Sequence, residues 1–402
     1  MPAHTPSQDL EPGAAGRKPA VRVLFVDHSA KVSGAEKSLL DLLARLDRSR
    51  YEPLVACPEG PFAEALRASG VAHEPVRLRR IRRTRALPAI AAGLADVGFS
   101  TLSLSRIIAE HQIDIVHANT TTAFLSAGPA AALRRVGAVW HVRDLVDLGR
   151  AARGLLALAD RVICISRAVE RSVRGFAGNS EKVRLVMNGI DRAALRDSAR
   201  PDRVRLSLGI APEAPLVTLV GQITPWKGHE FLLDALPGAL ARFPDLRVLF
   251  VGEAMSADDE AHLERLRARV RKLGLERTVL FAGWRDDVAS CLVDSTVVVL
   301  PSREEPFGRA AVEAMTLGKP VVGTRAGGLT EIITEGETGL LVRYGDAEGL
   351  AKAIVDLLGS PDLRAEMGRR AASASARFDS ARTAEGVQGV WDEVLAKRVG
   401  KR

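Results

Sequence analysis

Glu305 and Glu313 stand eight residues apart in Glu305-Pro306-Phe307-Gly308-Arg309-Ala310-Ala311-Val312-Glu313. Pro301 and Pro306 exclude a helix through Ser302–Glu305. From Gly308 onward Ala310-Ala311, Ala314-Met315 and Leu317 recur with helical period, and Gly318 and Pro320 close the run. Glu305 is therefore expected in the approach loop and Glu313 about one and a half turns into the helix. A buried carboxylate needs a partner, and sugar hydroxyls suit it because they donate hydrogen bonds.

Other chemistry-bearing residues follow short apolar runs. Gly221-Gln222-Ile223-Thr224-Pro225-Trp226-Lys227-Gly228 trails Leu216–Val220 and leads into a helix over 231–236. A cation and free N–H groups at such an entry can hold an anion. Thr324-Arg325-Ala326-Gly327-Gly328-Leu329 follows Pro320–Val322, and paired glycines before a helix permit close backbone approach to a phosphate. Gly252-Glu253 and Gly283-Trp284-Arg285 end two further runs and are placed to flank a nucleobase. Near the start, Ser33-Gly34-Ala35-Glu36 opens an amphipathic helix. His141 ends a run in Trp140-His141-Val142-Arg143-Asp144.

No Gly-x-Gly-x-x-Gly follows a strand, which speaks against a nicotinamide dehydrogenase. There is no Gly-x4-Gly-Lys-Ser/Thr loop and no Asp-x-Asp pair. The histidines lack metal-ligand spacing to one another, so no metal site is expected.

Positioning these residues requires sheets. β-Branched runs recur at Val21–Val26, Pro53–Ala56, Ile113–His117, Ala138–His141, Arg161–Ile165 and Val183–Val186. A second set is Leu216–Val220, Arg247–Val251, Thr278–Phe281, Thr296–Leu300, Pro320–Val322 and Gly339–Val342. Strands alternating with helices argue for parallel α/β sheets. About six per half makes two doubly wound domains, expected over 21–200 and 201–379. The Pro-, Ala- and Gly-rich residues 1–20 read as a disordered leader. Residues 380–402 read as a helix with no strand of its own.

The 402 residues suffice for two such domains. With 26% charged and 47% hydrophobic residues the composition is that of an ordinary soluble protein. Aromatics at 4% speak against base-stacking platforms, so no nucleic-acid partner is expected. The net charge of +8 is largely arginine and suits phosphate-bearing ligands or an anionic membrane. Cys57, Cys164 and Cys291 fit buried thiols in a cytoplasmic protein. Arg77, Arg79, Arg80, Arg82, Arg83 and Arg85 cluster before Leu87–Ile108, a segment too interrupted to span a membrane but suited to lie on one. That reading puts the chain at the inner face of the cell membrane.

Taken together, Gly34, His141, Lys227-Gly228, the Glu305–Glu313 element and Gly327-Gly328, in this order, resemble the retaining family 4 glycosyltransferases. The resemblance covers Val21 to about Lys397. It implies the GT-B architecture: two Rossmann-like domains facing a cleft, with the last helix crossing back to the first. It also implies a nucleotide sugar bound mainly by the second domain, and a glycan or lipid-linked acceptor. Glu313 would receive the ribose hydroxyls, Glu305 would stand by the transferred sugar, and Lys227 would neutralise the diphosphate. Gly327, Gly328 and Leu329 would offer backbone N–H groups, and His141 would touch donor sugar or leaving phosphate. Phe307, Gly308, Gly283 and Gln222 complete the expected donor site. Gln222 departs from the family, which often has an arginine there, and Ser33 stands where a glycine is usual.

No cofactor is expected beyond the donor substrate, because Lys227 and backbone dipoles can stabilise the departing diphosphate without a metal. Two other classes stay open from sequence. One is a nucleotide-sugar epimerase on a similar two-domain fold; the other is a non-catalytic glycosyltransferase-like subunit, which Gln222 favours.

Overall fold

Val-, Ile- and Leu-rich segments form strands wherever both faces of a sheet are covered, which is why they read as continuous apolar runs. In the computed structural model, which describes residues 20–78, 87–145, 149 and 151–399, such segments build two wholly parallel sheets. The first comprises β1 (Val21–Val26), β2 (Tyr51–Cys57), β3 (Ala72–Pro75), β4 (Ile115–Ala118), β5 (Gly137–Val142), β6 (Arg161–Cys164) and β7 (Val183–Leu185). The second comprises β8 (Leu216–Val220), β9 (Arg247–Val251), β10 (Val279–Gly283), β11 (Val297–Leu300), β12 (Val321–Thr324) and β13 (Gly339–Val342).

The sheet orders are β3-β2-β1-β4-β5-β6-β7 and β10-β9-β8-β11-β12-β13. Each is doubly wound, reversing direction between its first strand and the strand that pairs beside it. The ligand-binding crevice of such a sheet lies beyond the carboxyl ends of the strands at this reversal. In the second sheet these are the ends of β8 and β11, where Lys227 and Glu305 follow.

The first half holds seven strands among the described residues, not the six expected. The extra one, β3, reads Ala-His-Glu-Pro and pairs only with β2. An edge strand needs neither β-branched nor apolar side chains on both faces, so nothing in its composition announces it.

The helix Ser380–Val399 turns back onto the first sheet. Its Val387, Val390, Trp391 and Val394 pack against Val23, Phe25, Tyr51, Ile115 and Val139. Burial of each such side chain contributes about 2 kcal/mol. Ion pairs from Arg50 to Asp392 at 2.8 Å and from Arg184 to Glu393 at 2.7 Å hold its outer face. The chain therefore crosses between the halves twice. The Arg192–Ser198 helix, on the first-domain side of the expected division, also leans on the second half, with Arg196 Nε donating to Thr316 O at 3.3 Å.

The three cysteines are free and buried. Among the described residues no helix is long and apolar enough to cross a membrane. Residues 1–19 of the leader expected over 1–20, and the arginines from Arg79 to Arg85, lie outside the described residues; Arg77 is described and exposed.

Candidate active site

Two loops of the second half meet at its centre. Thr224 to Gly228 leaves β8 through a short 3-10 turn over Pro225–Lys227. Gly228 then adopts φ +78°, and a Cβ there would lie 1.9 Å from Pro301 O. Only glycine lets the two loops abut in this way. The approach puts Lys227 Nζ 2.8 Å from Glu305 Oε2, which also accepts from Ser302 Oγ at 3.1 Å. Glu305 is 6% exposed. The Lys227 ammonium also sits 4.3 Å from the centre of the Trp226 ring, a further favourable contact for a cation.

Gly327 and Gly328 serve the same loop. Gly327 has φ +52°, and a Cβ on it would fall 2.1 Å from Glu305 O; one on Gly328 would fall 2.4 Å from Phe307 O. Their close approach is thus first to the Glu305 loop. The expectation that Gly327, Gly328 and Leu329 all present free N–H groups is corrected in part. Gly328 N donates to Glu305 O at 2.7 Å and Leu329 N to Ala326 O at 3.2 Å, so these two donors already have partners. The Leu329 side chain is fully buried.

Phe307 is 3% exposed and packs edge-on against Phe378 with centroids 5.8 Å apart. Its side chain holds the loop against the core. Gly308, at φ +106°, caps the helix Arg309–Thr316, and Glu313 lies within that helix as expected. Glu313 is not idle: Arg309, one turn earlier, donates through Nε to its Oε1 at 2.7 Å. Arg309 also reaches Asp41 Oδ2 at 2.7 Å and Ser38 Oγ at 3.3 Å, both on the first-half helix Gly34–Ala44. Burial opposes its charge, but Glu313 and Asp41 outweigh this and raise its pKa.

From Ser38 the network continues into the first half. Asn188 Nδ2 donates to Ser38 Oγ at 2.9 Å, and Arg143 Nη1 donates to Asn188 Oδ1 at 3.3 Å. Arg143 Nε donates to Asn119 Oδ1 at 2.9 Å. Burial lowers the Arg143 pKa to about 10, which leaves it charged at neutral pH. His141, two residues earlier, is fully buried, and its Nε2 has no partner among the described residues. Gly34 begins its helix with open space where a Cβ would go. The neighbouring Glu36 accepts from Ser33 N at 2.8 Å; burial, then Asp27, push its carboxyl up to about 7. Gln222 is half-buried after β8, and Gly283 closes β10 at φ +67°.

The halves are also joined on the far side of the Glu305 loop. Ser166 Oγ donates to Pro306 O at 2.5 Å, and Glu331 accepts from Arg167 N at 2.8 Å and Ala168 N at 2.7 Å. A carboxylate at this helix start is favoured by the unpaired N–H groups and the helix dipole.

Sequence reading missed Arg309, Asp41, Arg143, Asn188, Ser38 and Glu331. The i,i+4 spacing of Arg309 and Glu313 was a usable signal. The others meet only through the fold.

The second half, residues 202–374, matches the model of the glycosyl transferases group 1, and residues 32–194 match that of glycosyltransferase family 4. The D-inositol 3-phosphate glycosyltransferase of Acidothermus cellulolyticus is 35% identical over 266 residues, 63% of this chain and 58% of that protein. The enzyme of the same name from Corynebacterium jeikeium is 31% identical over 58% of this chain and 57% of its own length. The chain thus aligns with a little over half the length of these curated relatives. Among solved structures, Anabaena HepE in complex with UDP-glucose superposes with a TM-score of 0.79 at 28% identity, covering 93% of this chain and 99% of that one. The two parallel-sheet domains, the order of the site residues and both family matches agree: this chain belongs to the family 4 glycosyltransferases of GT-B fold.

Proposed function

We propose that this chain is a retaining hexosyltransferase that moves a sugar from a nucleotide diphosphate to a glycan or lipid-linked acceptor. The buried Lys227–Glu305 pair, held at the crevice of the second sheet within reach of both glycine loops, carries the reading. HepE, 28% identical, was solved with UDP-glucose, which supports a nucleotide-sugar donor here and makes UDP the first base to try. The inositol phosphate relatives support a polar, phosphorylated acceptor as one candidate.

In this mechanism charge grows on the departing diphosphate, and stabilisation must fall there. Lys227 moves from Glu305 to the phosphate, so no divalent metal or other cofactor is required. Glu305 then faces the transferred sugar, while Glu313 accepts the ribose hydroxyls. Closure of the two halves keeps water from the oxocarbenium-like centre. Retention follows from front-face attack, with the leaving phosphate accepting the acceptor's proton. Gly34, Gly283, Phe307, Gly308, Gly327, Gly328 and Leu329 shape this donor site, and Gln222 contributes a neutral donor where related enzymes often have a cation.

Leu94, Phe99 and Leu102 are 68%, 75% and 64% exposed on the Leu87–Glu110 helix that follows the arginine-rich segment. They support peripheral contact with an anionic membrane at its cytoplasmic face, testable by cosedimentation with phosphatidylserine vesicles.

A thermal-shift panel of UDP, GDP, ADP and dTDP tests the donor class, and sugar release from the stabilising nucleotide's sugars tests turnover. Glu305→Ala and Lys227→Ala abolish turnover on this reading; full activity in both overturns it. Conversion of the donor without any acceptor would instead identify an epimerase. Failure to bind any nucleotide would identify a non-catalytic subunit.

A further inference from the structure

His141 and His117 lie on adjacent strands of the first sheet. His117 is paired with Val139 on β5, so His141, two residues on, projects from the same face. Phe25, paired with His117 on the other side, shares that face too. The returning C-terminal helix covers it with Trp391, whose ring meets that of His117 at 5.7 Å and 89°. His117, His141 and Trp391 are all fully buried.

These three rings form a directed chain. Trp391 Nε1 donates to His117 Nδ1 at 3.1 Å. His117 Nε2 stands 3.0 Å from His141 Nδ1. An indole N–H can only donate, so His117 Nδ1 must be the acceptor. A neutral imidazole carries one proton, which for His117 is then on Nε2, directed at His141 Nδ1. Arg143 Nη2, which also can only donate, approaches the same Nδ1 at 3.5 Å. Both neighbours require an unprotonated His141 Nδ1. The ring proton of His141 is left on Nε2, the one nitrogen of these three rings without a partner among the described residues.

We propose that Trp391 and His117 are positioning residues that lock His141 as the Nε2–H tautomer, making it a hydrogen-bond donor to the donor substrate and not a proton acceptor. Burial, and next the charge of Arg143, hold both imidazoles neutral, with His117 lowered to about 3. A buried N–H without an acceptor is unfavourable, and a sugar hydroxyl or phosphate oxygen supplies one. The C-terminal helix, which crosses back from the second half, thereby sets the proton on a first-half residue. The identity of the acceptor rests on the glycosyltransfer reading; the tautomer does not.

The test uses the full chain labelled with 15N-histidine, with two-bond 15N–1H spectra at about pH 7 and His141→Gln to assign the His141 signals. The expected pattern for His141 is a protonated Nε2 and an unprotonated Nδ1. A protonated Nδ1 or an imidazolium overturns the proposal, whether or not any sugar is transferred. In Trp391→Phe, which keeps a ring but loses the donor, a second tautomer of His117 grows in; an unchanged spectrum removes Trp391 from the chain. On the kinetic side His117→Phe lowers kcat about tenfold or more with donor KM little changed. His117→Gln recovers most of that loss, because its amide both accepts from Trp391 and donates to His141. Equal kcat in all three folded proteins overturns the positioning role. Should His117→Phe not fold, the wild-type and Trp391→Phe spectra decide alone. A wild type with the expected tautomer but no turnover of any nucleotide sugar would refute the transferase reading and leave the hydrogen-bond chain standing.

Discussion

Lys227 Nζ lies 2.8 Å from Glu305 Oε2, although the two residues come from loops after different strands, β8 and β11. Each neutralises the other in a pocket where the lysine side chain is 16% and the glutamate side chain 7% exposed. Charges so far removed from water depend on one another. On the proposed glycosyltransfer reading, the same pair holds in reserve the cation that the departing diphosphate would need.

Removing only one partner should therefore be worse than removing both. Lys227→Ala is expected to destabilise the fold by about 3 kcal/mol, and Lys227→Ala/Glu305→Ala to recover part of that loss. Urea unfolding of the four proteins of the cycle measures this. Additive losses would mean the two charges are independently solvated.

Glu313 is held by Arg309, and Arg309 by Asp41 across the cleft. Glu313→Gln should weaken nucleotide binding by about tenfold, the worth of one charge-assisted hydrogen bond. Calorimetric titration with the nucleotide found in the thermal-shift panel reads it directly, and unchanged affinity would remove Glu313 from the nucleoside site.

The contacts of Asp41 with Arg309 and of Glu331 with Arg167 N and Ala168 N tie the halves together. Asp41→Ala/Glu331→Ala should favour an open arrangement, with a larger radius of gyration by small-angle scattering that nucleotide partly reverses. An identical scattering profile would show that other contacts hold the halves.

Two glycines give opposite expectations. Gly228→Ala combines φ +78° with a contact of 1.9 Å to Pro301 O. It should cost about 2 kcal/mol or more and disturb the Lys227 turn. At Gly34 the added methyl meets nothing within 4 Å and the backbone is helical. Gly34→Ala should leave the melting temperature nearly unchanged and report only on whether a ligand approaches this turn.

His117 supplies the pH prediction. Its pKa falls from 6.5 in the unfolded chain to about 3 in the fold, by burial first and then by Arg143. Between these values the unfolded chain binds the extra proton, so stability rises with pH across this window. The contribution is fully present above pH 6.5 and is lost as pH falls toward 3. As pH falls from 6.5 toward 3, the unfolding free energy from denaturant titrations at several pH values should fall less steeply in His117→Gln than in the unsubstituted protein, by up to about 1.4 kcal/mol per pH unit. Parallel profiles would mean His117 titrates normally.

The strands with continuous β-branched runs were legible from sequence because burial on both faces selects those residues. The edge strand β3 was not, because its Ala-His-Glu-Pro need satisfy only one neighbour. The placement of Glu305 in a loop and Glu313 in a helix followed from Pro306, Gly308 and the alanine period alone. What Phe307 does was not legible: an aromatic in a loop can face a ligand or the core, and here Phe378, far along the chain, draws it inward.

The sequence by itself determined the two sheets, the loops after their strands and the residue types those loops carry, because these depend on local propensity and period. Only the tertiary structure decided the partners. Lys227 meets Glu305, Arg309 bridges Glu313 to Asp41, and Trp391 reaches His117 from the far end of the chain. Buried charges and ring nitrogens are satisfied by whatever the packing brings within about 3 Å, and that distance is set by sheet order and by the returning helix, not by separation along the chain.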